Sequence, residues 1–174
     1  MKFEIKALDS KNFVLYEKQK QLASLTYDSS FSKNCGAIRI NDTNNATFKN
    51  KSLLSSEIQF LRDKQIIFSV NKNWSGVLEI CSNVNKNYFF LKTKNFWKNS
   101  KVLLDEKGKE LIILTKKYNW MNWNYEYSFD VLCELDELAE MELFLFTLMQ
   151  GEYLNQMRST FFVFIIVWIT MKNN

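Results

Sequence analysis

The stretch Met141-Glu142-Leu143-Phe144-Leu145-Phe146-Thr147-Leu148-Met149 decides the fold. Wound as a helix, Leu143, Phe144, Leu145, Phe146, Leu148 and Met149 cover nearly the whole circumference, and a helix apolar all round must be enclosed by protein or lipid. Its beginning is written upstream. Asp136 suits an N-cap, Glu137 and Glu140 suit the positive end of the dipole, and Leu138, Met141, Leu145 and Leu148 follow helical spacing. The expected helix runs over 136–157.

What could enclose it lies before it. From Lys2 to Val131 apolar residues alternate or run in short stretches, broken by Asn, Ser, Asp, Lys and occasional Gly, which is the period-two signal of strands. Strands are expected near 2–8, 12–17, 20–27, 36–41, 44–49, 56–62, 65–72, 76–82, 86–92, 100–104, 110–116 and 123–131. Glu17-Lys18-Gln19, Asn73-Trp74-Ser75-Gly76 and Asp105-Glu106-Lys107-Gly108 read as hairpin turns. Parallel strands would need helical crossovers, and none is visible between these segments. The absence of proline agrees with segments that nearly all donate to ladders. The fold class is therefore mainly β: about twelve antiparallel strands in a barrel around a hydrophobic C-terminal helix, with an extra apolar terminal segment. One domain over 1–174 is expected, divided into strands (1–131), central helix (136–157) and terminal segment (159–171).

That terminal segment contains Phe161-Phe162-Val163-Phe164-Ile165-Ile166-Val167-Trp168-Ile169-Thr170-Met171. As a helix it would reach about 16 Å, roughly half of a hydrocarbon core of about 30 Å. Arg158 and Lys172 bracket it, and Glu152, Asn155 and Gln156 prevent its extension into a spanning helix. A buried terminal segment is the favoured reading and a membrane contact the other; strand or helix is left open.

Composition removes whole classes of chemistry. With 47% hydrophobic and 16% aromatic residues in 174, a packed core is expected. No histidine is present, so Ser-His-Asp and Cys-His catalysis, histidine metal sites and a histidine pH switch are excluded. Cys35, Cys81 and Cys133 are odd in number and far apart, which argues for reduced, buried thiols and against a disulfide framework or zinc knuckle. The four glycines stand at 36, 76, 108 and 151, so no phosphate-cradling loop exists. The charged start Met1-Lys2-Phe3-Glu4-Ile5-Lys6 lacks a signal-peptide core, and a cytoplasmic protein, peripheral at the membrane at most, is expected. No enzyme activity, cofactor or metal is expected, and no small-molecule substrate is evident.

Leu22-Ala23-Ser24-Leu25-Thr26-Tyr27 with Phe31-Ser32, then Trp74-Ser75-Gly76, then Lys116-Lys117-Tyr118-Asn119-Trp120 before Asn124-Tyr125-Glu126-Tyr127, resembles uncharacterised bacterial members of the tubby-like C-terminal domains. That group includes the plant LURP-one-related proteins and the phospholipid scramblases. The resemblance covers nearly the whole chain through strand spacing and scattered aromatics. It implies about twelve strands around a hydrophobic helix, and phosphoinositide binding in the tubby branch. No functional residue carries over by motif.

Two surfaces stand out by charge. The region 86–117 holds nine lysines against Asp105, Glu106 and Glu110, whereas 126–152 holds eight acids and no base. Lys92, Lys94, Lys98 and Lys101 with Trp97, near Phe96, Trp120 and Trp123, form a candidate face for anionic lipid: lysines attract phosphate while rings sit at the interface. The plainer reading places these lysines on solvent-facing strand positions with the aromatics packed inward. Glu126, Asp130, Glu134 and Glu137 form a candidate face for a basic protein partner, as in an adaptor or toxin-neutralising protein. Scarce arginine and the acidic segment argue against nucleic acid. The expected function is a non-enzymatic binding module for anionic lipid or membrane surface, with protein interaction as the alternative.

Overall fold

A computed structural model describes residues 1–29, 35–40, 44–52, 55–121, 123–134 and 141–154. The strands are β1 (Lys2–Ala7), β2 (Asn12–Glu17), β3 (Lys20–Tyr27), β4 (Gly36–Ile40), β5 (Asn44–Asn50) and β6 (Ile58–Arg62), followed by β7 (Gln65–Lys72), β8 (Leu78–Ser82), β9 (Tyr88–Asn95), β10 (Ser100–Leu104), β11 (Glu110–Asn119) and β12 (Asn124–Val131). Each pairs antiparallel with its sequence neighbours, and β1 pairs with β12 to close the barrel, Phe3 opposite Phe129. Each expected strand has its counterpart; β9 and β11 run three residues further, to Asn95 and Asn119. The capping residues Asp136, Glu137 and Glu140 and the terminal segment 159–171 lie outside the described residues.

A single described helix, α1 (141–154), runs inside the barrel. From Leu143 to Gln150 every residue is at most 2% exposed, which only enclosure on all sides achieves. Phe144 meets Phe68 and Phe89, while Gly151 faces Val70 and Leu78, where a Cβ would come within 3.2 Å of Val70 Cγ1. Thr147 returns its hydroxyl to the Leu143 carbonyl at 2.9 Å, and Tyr27 donates to Gln150 Oε1 at 2.6 Å, so both polar side chains are satisfied in the core.

The strands turn alternate side chains inward, as on β1 and β4, where exposed and buried residues follow one another. An aromatic row, Phe13, Tyr27, Phe48 and Phe60, lines one side of the lumen with centroids 5.4–5.6 Å apart. Gly36 makes the row possible. It stands on β4 opposite both Tyr27 and Phe48, and a Cβ there would fall 2.4 Å from the Thr26 carbonyl oxygen and 2.8 Å from the Phe48 ring. The three cysteines are half-buried rather than fully buried.

Hairpin order gives the barrel two ends. The β2–β3, β6–β7, β8–β9 and β10–β11 turns share one end with Met1 and the finish of β12; the β1–β2, β7–β8, β9–β10 and β11–β12 turns share the other. Helix α1 runs from the first end towards the second: Phe144 meets the early residue Phe89 of β9, and Glu152 meets Lys101 at the opposite end of the barrel wall.

Candidate functional site

Three hairpins on adjacent strand pairs, β7–β8, β9–β10 and β11–β12, share a local design. Each begins with an asparagine whose side chain closes the turn: Asn73 Oδ1 accepts from the Val77 amide at 3.0 Å, Asn95 Oδ1 from the Lys98 amide at 3.0 Å and Asn119 Oδ1 from the Met121 amide at 2.9 Å. Aromatic residues follow directly, Trp74 after Asn73, Phe96 and Trp97 after Asn95, and Trp120 after Asn119. The next turn around the rim, β1–β2, is closed by Asp9, whose carboxylate accepts from the Asn12 and Lys11 amides, and it exposes Leu8. Asn124 Nδ2 donates to the Asp9 carbonyl at 3.1 Å and ties this turn to the neighbouring one.

The result is an aromatic rim. Trp74, Trp97, Trp120 and Trp123 are between 74 and 108% exposed, and Phe96 and Met121 are exposed beside them. Tryptophan is among the residues with most to gain from burial, so four of the chain's five gathered bare on one end is a marked departure from a solvated surface. The opposite end exposes Met1, Ile66, Val84, Tyr88 and Leu132, with no tryptophan among the described residues. The plainer sequence reading, aromatics packed inward, is therefore corrected for Phe96, Trp97, Trp120 and Trp123: the short turns hold them beyond the strand ends, out of reach of the lumen.

The lysines expected beside them divide. Lys98 shares the rim with Trp97, and Lys92 is exposed on the outer wall of β9. Lys94 is ion-paired with Glu110 across β10. Lys101 faces the lumen, because it pairs with the inward residue Leu114; its ammonium lies 3.3 Å from Glu152 of α1. It cannot belong to an external lipid face.

The partner face is dispersed as well. Glu126 and Asp130 point outward from β12, but Glu126 stands opposite Lys117 and accepts from Asn119 Nδ2 at 2.7 Å, while Asp130 lies 3.9 Å from Lys2. Glu134 is exposed past the end of β12, and Glu137 lies outside the described residues.

Sequence reading overlooked a buried charge cluster beneath the rim. Lys116 is 6% and Glu152 4% exposed, and Lys101 stands beside them. Lys116 faces Tyr127 across the β11–β12 pair and places its Nζ 3.4 Å from the centroid of the Tyr125 ring, a cation–π contact. Burial pulls its ammonium down to about 8, against the opposing pull of Glu152 and with the help of Lys101. Beside this cluster opens a cavity of about 280 Å³, walled by Phe13, Tyr27, Trp123, Tyr125, Tyr127 and Tyr153. Burial raises the phenols of Tyr27, Tyr127 and Tyr153, which keeps the cavity wall neutral. The signals were present in the sequence: Lys116 occupies an inward position in the alternation Ile112, Leu114, Lys116, and asparagine followed by an aromatic recurs at 73, 95 and 119.

Among the described residues no three acidic or cysteine side chains gather as a metal site, and no helix is long and apolar enough to cross a membrane. The chain matches no protein-family model, no curated protein and no solved structure.

Proposed function

We propose that the chain is a non-enzymatic module that docks end-on at a membrane surface through its tryptophan rim. The carrying observation is the gathering of Trp74, Trp97, Trp120 and Trp123 on three adjacent hairpins at one end only. Rings of this kind settle at the boundary of headgroups and acyl chains, and Lys98 among them adds attraction to anionic lipid. The area supports a reversible contact. A tryptophan carries about 200 Å², so half-burying four at about 25 cal/mol/Å² yields about 10 kcal/mol, against about 4–15 kcal/mol of lost freedom on association. The enclosed helix in a twelve-strand barrel also supports the tubby-like relationship, which belongs to the same proposal.

Sedimentation with anionic and neutral vesicles tests this reading. Retention on anionic vesicles at low salt is expected, partly lost at high salt, with a blue shift of tryptophan emission. Replacing Trp97, Trp120 and Trp123 together by Ser should abolish retention and leave the melting temperature nearly unchanged. A wild-type chain that stays in the supernatant with anionic vesicles at low salt overturns the proposal.

A further inference from the structure

The cavity under the rim is lined mostly by aromatic rings, with Asn124 among them, and stands beside an unbalanced charge. Inside the barrel the described residues bring two ammonium groups, Lys101 and Lys116, to one carboxylate, Glu152. Glu152 lies 3.3 Å from Lys101. Lys116 instead rests on the Tyr125 ring, and its Nζ makes no hydrogen bond to an oxygen of any described residue. A ring face compensates a buried ammonium less well than an oxyanion does. Lys116 stands just behind the cavity wall: Tyr125 and Tyr127, which line the cavity, are the ring beneath its ammonium and the residue directly opposite it.

We infer that the barrel mouth binds a small amphiphile carrying one oxyanion, its apolar body among the rings of Tyr125, Tyr127, Tyr153 and Trp123 and its head drawn to Lys116. The volume is at the small end of ligand sites and fits a short chain or single ring rather than a nucleotide. An inorganic anion would leave the ring-lined space unfilled. A cationic head is disfavoured by the excess of ammonium. The inference stands on the interior of the barrel and holds whether the rim meets a bilayer or not.

The groups facing Lys116 are Lys101 from β10, Tyr125 and Tyr127 from β12, and Glu152 from α1. Of these only Glu152 brings a negative charge at neutral pH. An arriving oxyanion therefore favours the charged form of Lys116, and near pH 8, where that lysine is partly neutral, binding takes up protons. Affinity falls as the pH rises further.

Calorimetric titration of the full chain with octanoate, and in parallel with octanol, separates charge from apolar fit. The wild type should prefer octanoate by about tenfold, the range of a charge-assisted contact in a buried site. Lys116→Met should bring the two probes level without losing octanol, and Lys116→Arg should restore the preference. Near pH 8, buffers of different ionisation enthalpy should reveal proton uptake with octanoate and none with octanol. Trp123→Ala, at an exposed wall position where folding is indifferent, should weaken both probes. Equal affinity in the wild type, a preference that survives Lys116→Met, unchanged binding in Trp123→Ala, or no binding of either probe overturns the inference. Oleate-doped vesicles distinguish the sources: retention that depends on oleate and on Lys116 marks a lipid drawn from the bilayer, and octanoate binding without it marks a free amphiphile. Loss of all vesicle binding with the octanoate preference intact would remove the membrane reading alone.

Discussion

Lys116 makes the folded chain more stable in mild alkali than at neutral pH. In the unfolded chain its ammonium titrates at the usual 10.5, and in the barrel at about 8. Below pH 8 both states hold the proton, so the folded state carries the full penalty of a buried ammonium. Between the two values the unfolded chain remains charged while the folded chain releases its proton, and stability rises by up to 1.36 kcal/mol per pH unit. Integrated over the interval, the gain is about 3 kcal/mol, a large share of a typical total of about 5–15 kcal/mol. Tyr27 and Tyr127 set the upper limit. Both are buried phenols held neutral in the fold, so once unfolded phenols ionise above the usual 10.0, stability falls again. The stability maximum is therefore expected near pH 10 rather than near neutrality. Urea unfolding at a series of pH values measures it, with constant m confirming that the same transition is compared. Lys116→Met, of similar length and without charge, should be more stable than the wild type at neutral pH by about 2 kcal/mol. Lys101 remains to neutralise Glu152, and the alkaline rise should be absent in the variant. Wild-type stability that is flat or falls between neutral pH and about 9.5, together with a Lys116→Met variant no more stable at neutral pH, would refute the reasoning.

The enclosed helix gives a second expectation: Leu145, with no exposed surface, should lose about 2–5 kcal/mol on replacement by Ala and the whole fold on replacement by Asp, read as loss of soluble expression. A Leu145→Asp chain that unfolds cooperatively near the parent's midpoint would place the helix outside the barrel. Gly36→Ala should lower the melting temperature severely, because its Cβ would sit 2.4 Å from the Thr26 carbonyl, which is backbone and cannot give way; an unchanged melting temperature would contradict that contact. The two-residue β2–β3 turn holds Lys18 and Gln19 at φ of 46° and 71°. Asn-Gly adopts this conformation more readily, so Lys18→Asn with Gln19→Gly should raise stability by about 1 kcal/mol in chemical denaturation.

The sequence by itself determined the element order. Alternation and short apolar runs marked the strands because a barrel wall has one wet and one dry face, and the run Leu143 to Met149 marked the helix because nothing apolar all round survives unless enclosed. It did not determine which side chains of the turns stay bare, because alternation alone allowed their aromatics to pack inward. Trp74, Trp97 and Trp120 are more than twenty residues apart from one to the next along the chain, and the antiparallel order β7 to β12 sets their hairpins side by side. The same holds for charge. Lys98 and Lys101 are three residues apart, yet Lys98 belongs to the turn on the rim and Lys101 to an inward position of β10, towards Glu152. Local spacing records the face a side chain takes relative to its neighbours, and a turn resets that face; which residues then meet across the lumen depends on strand register and on the helix that fills it.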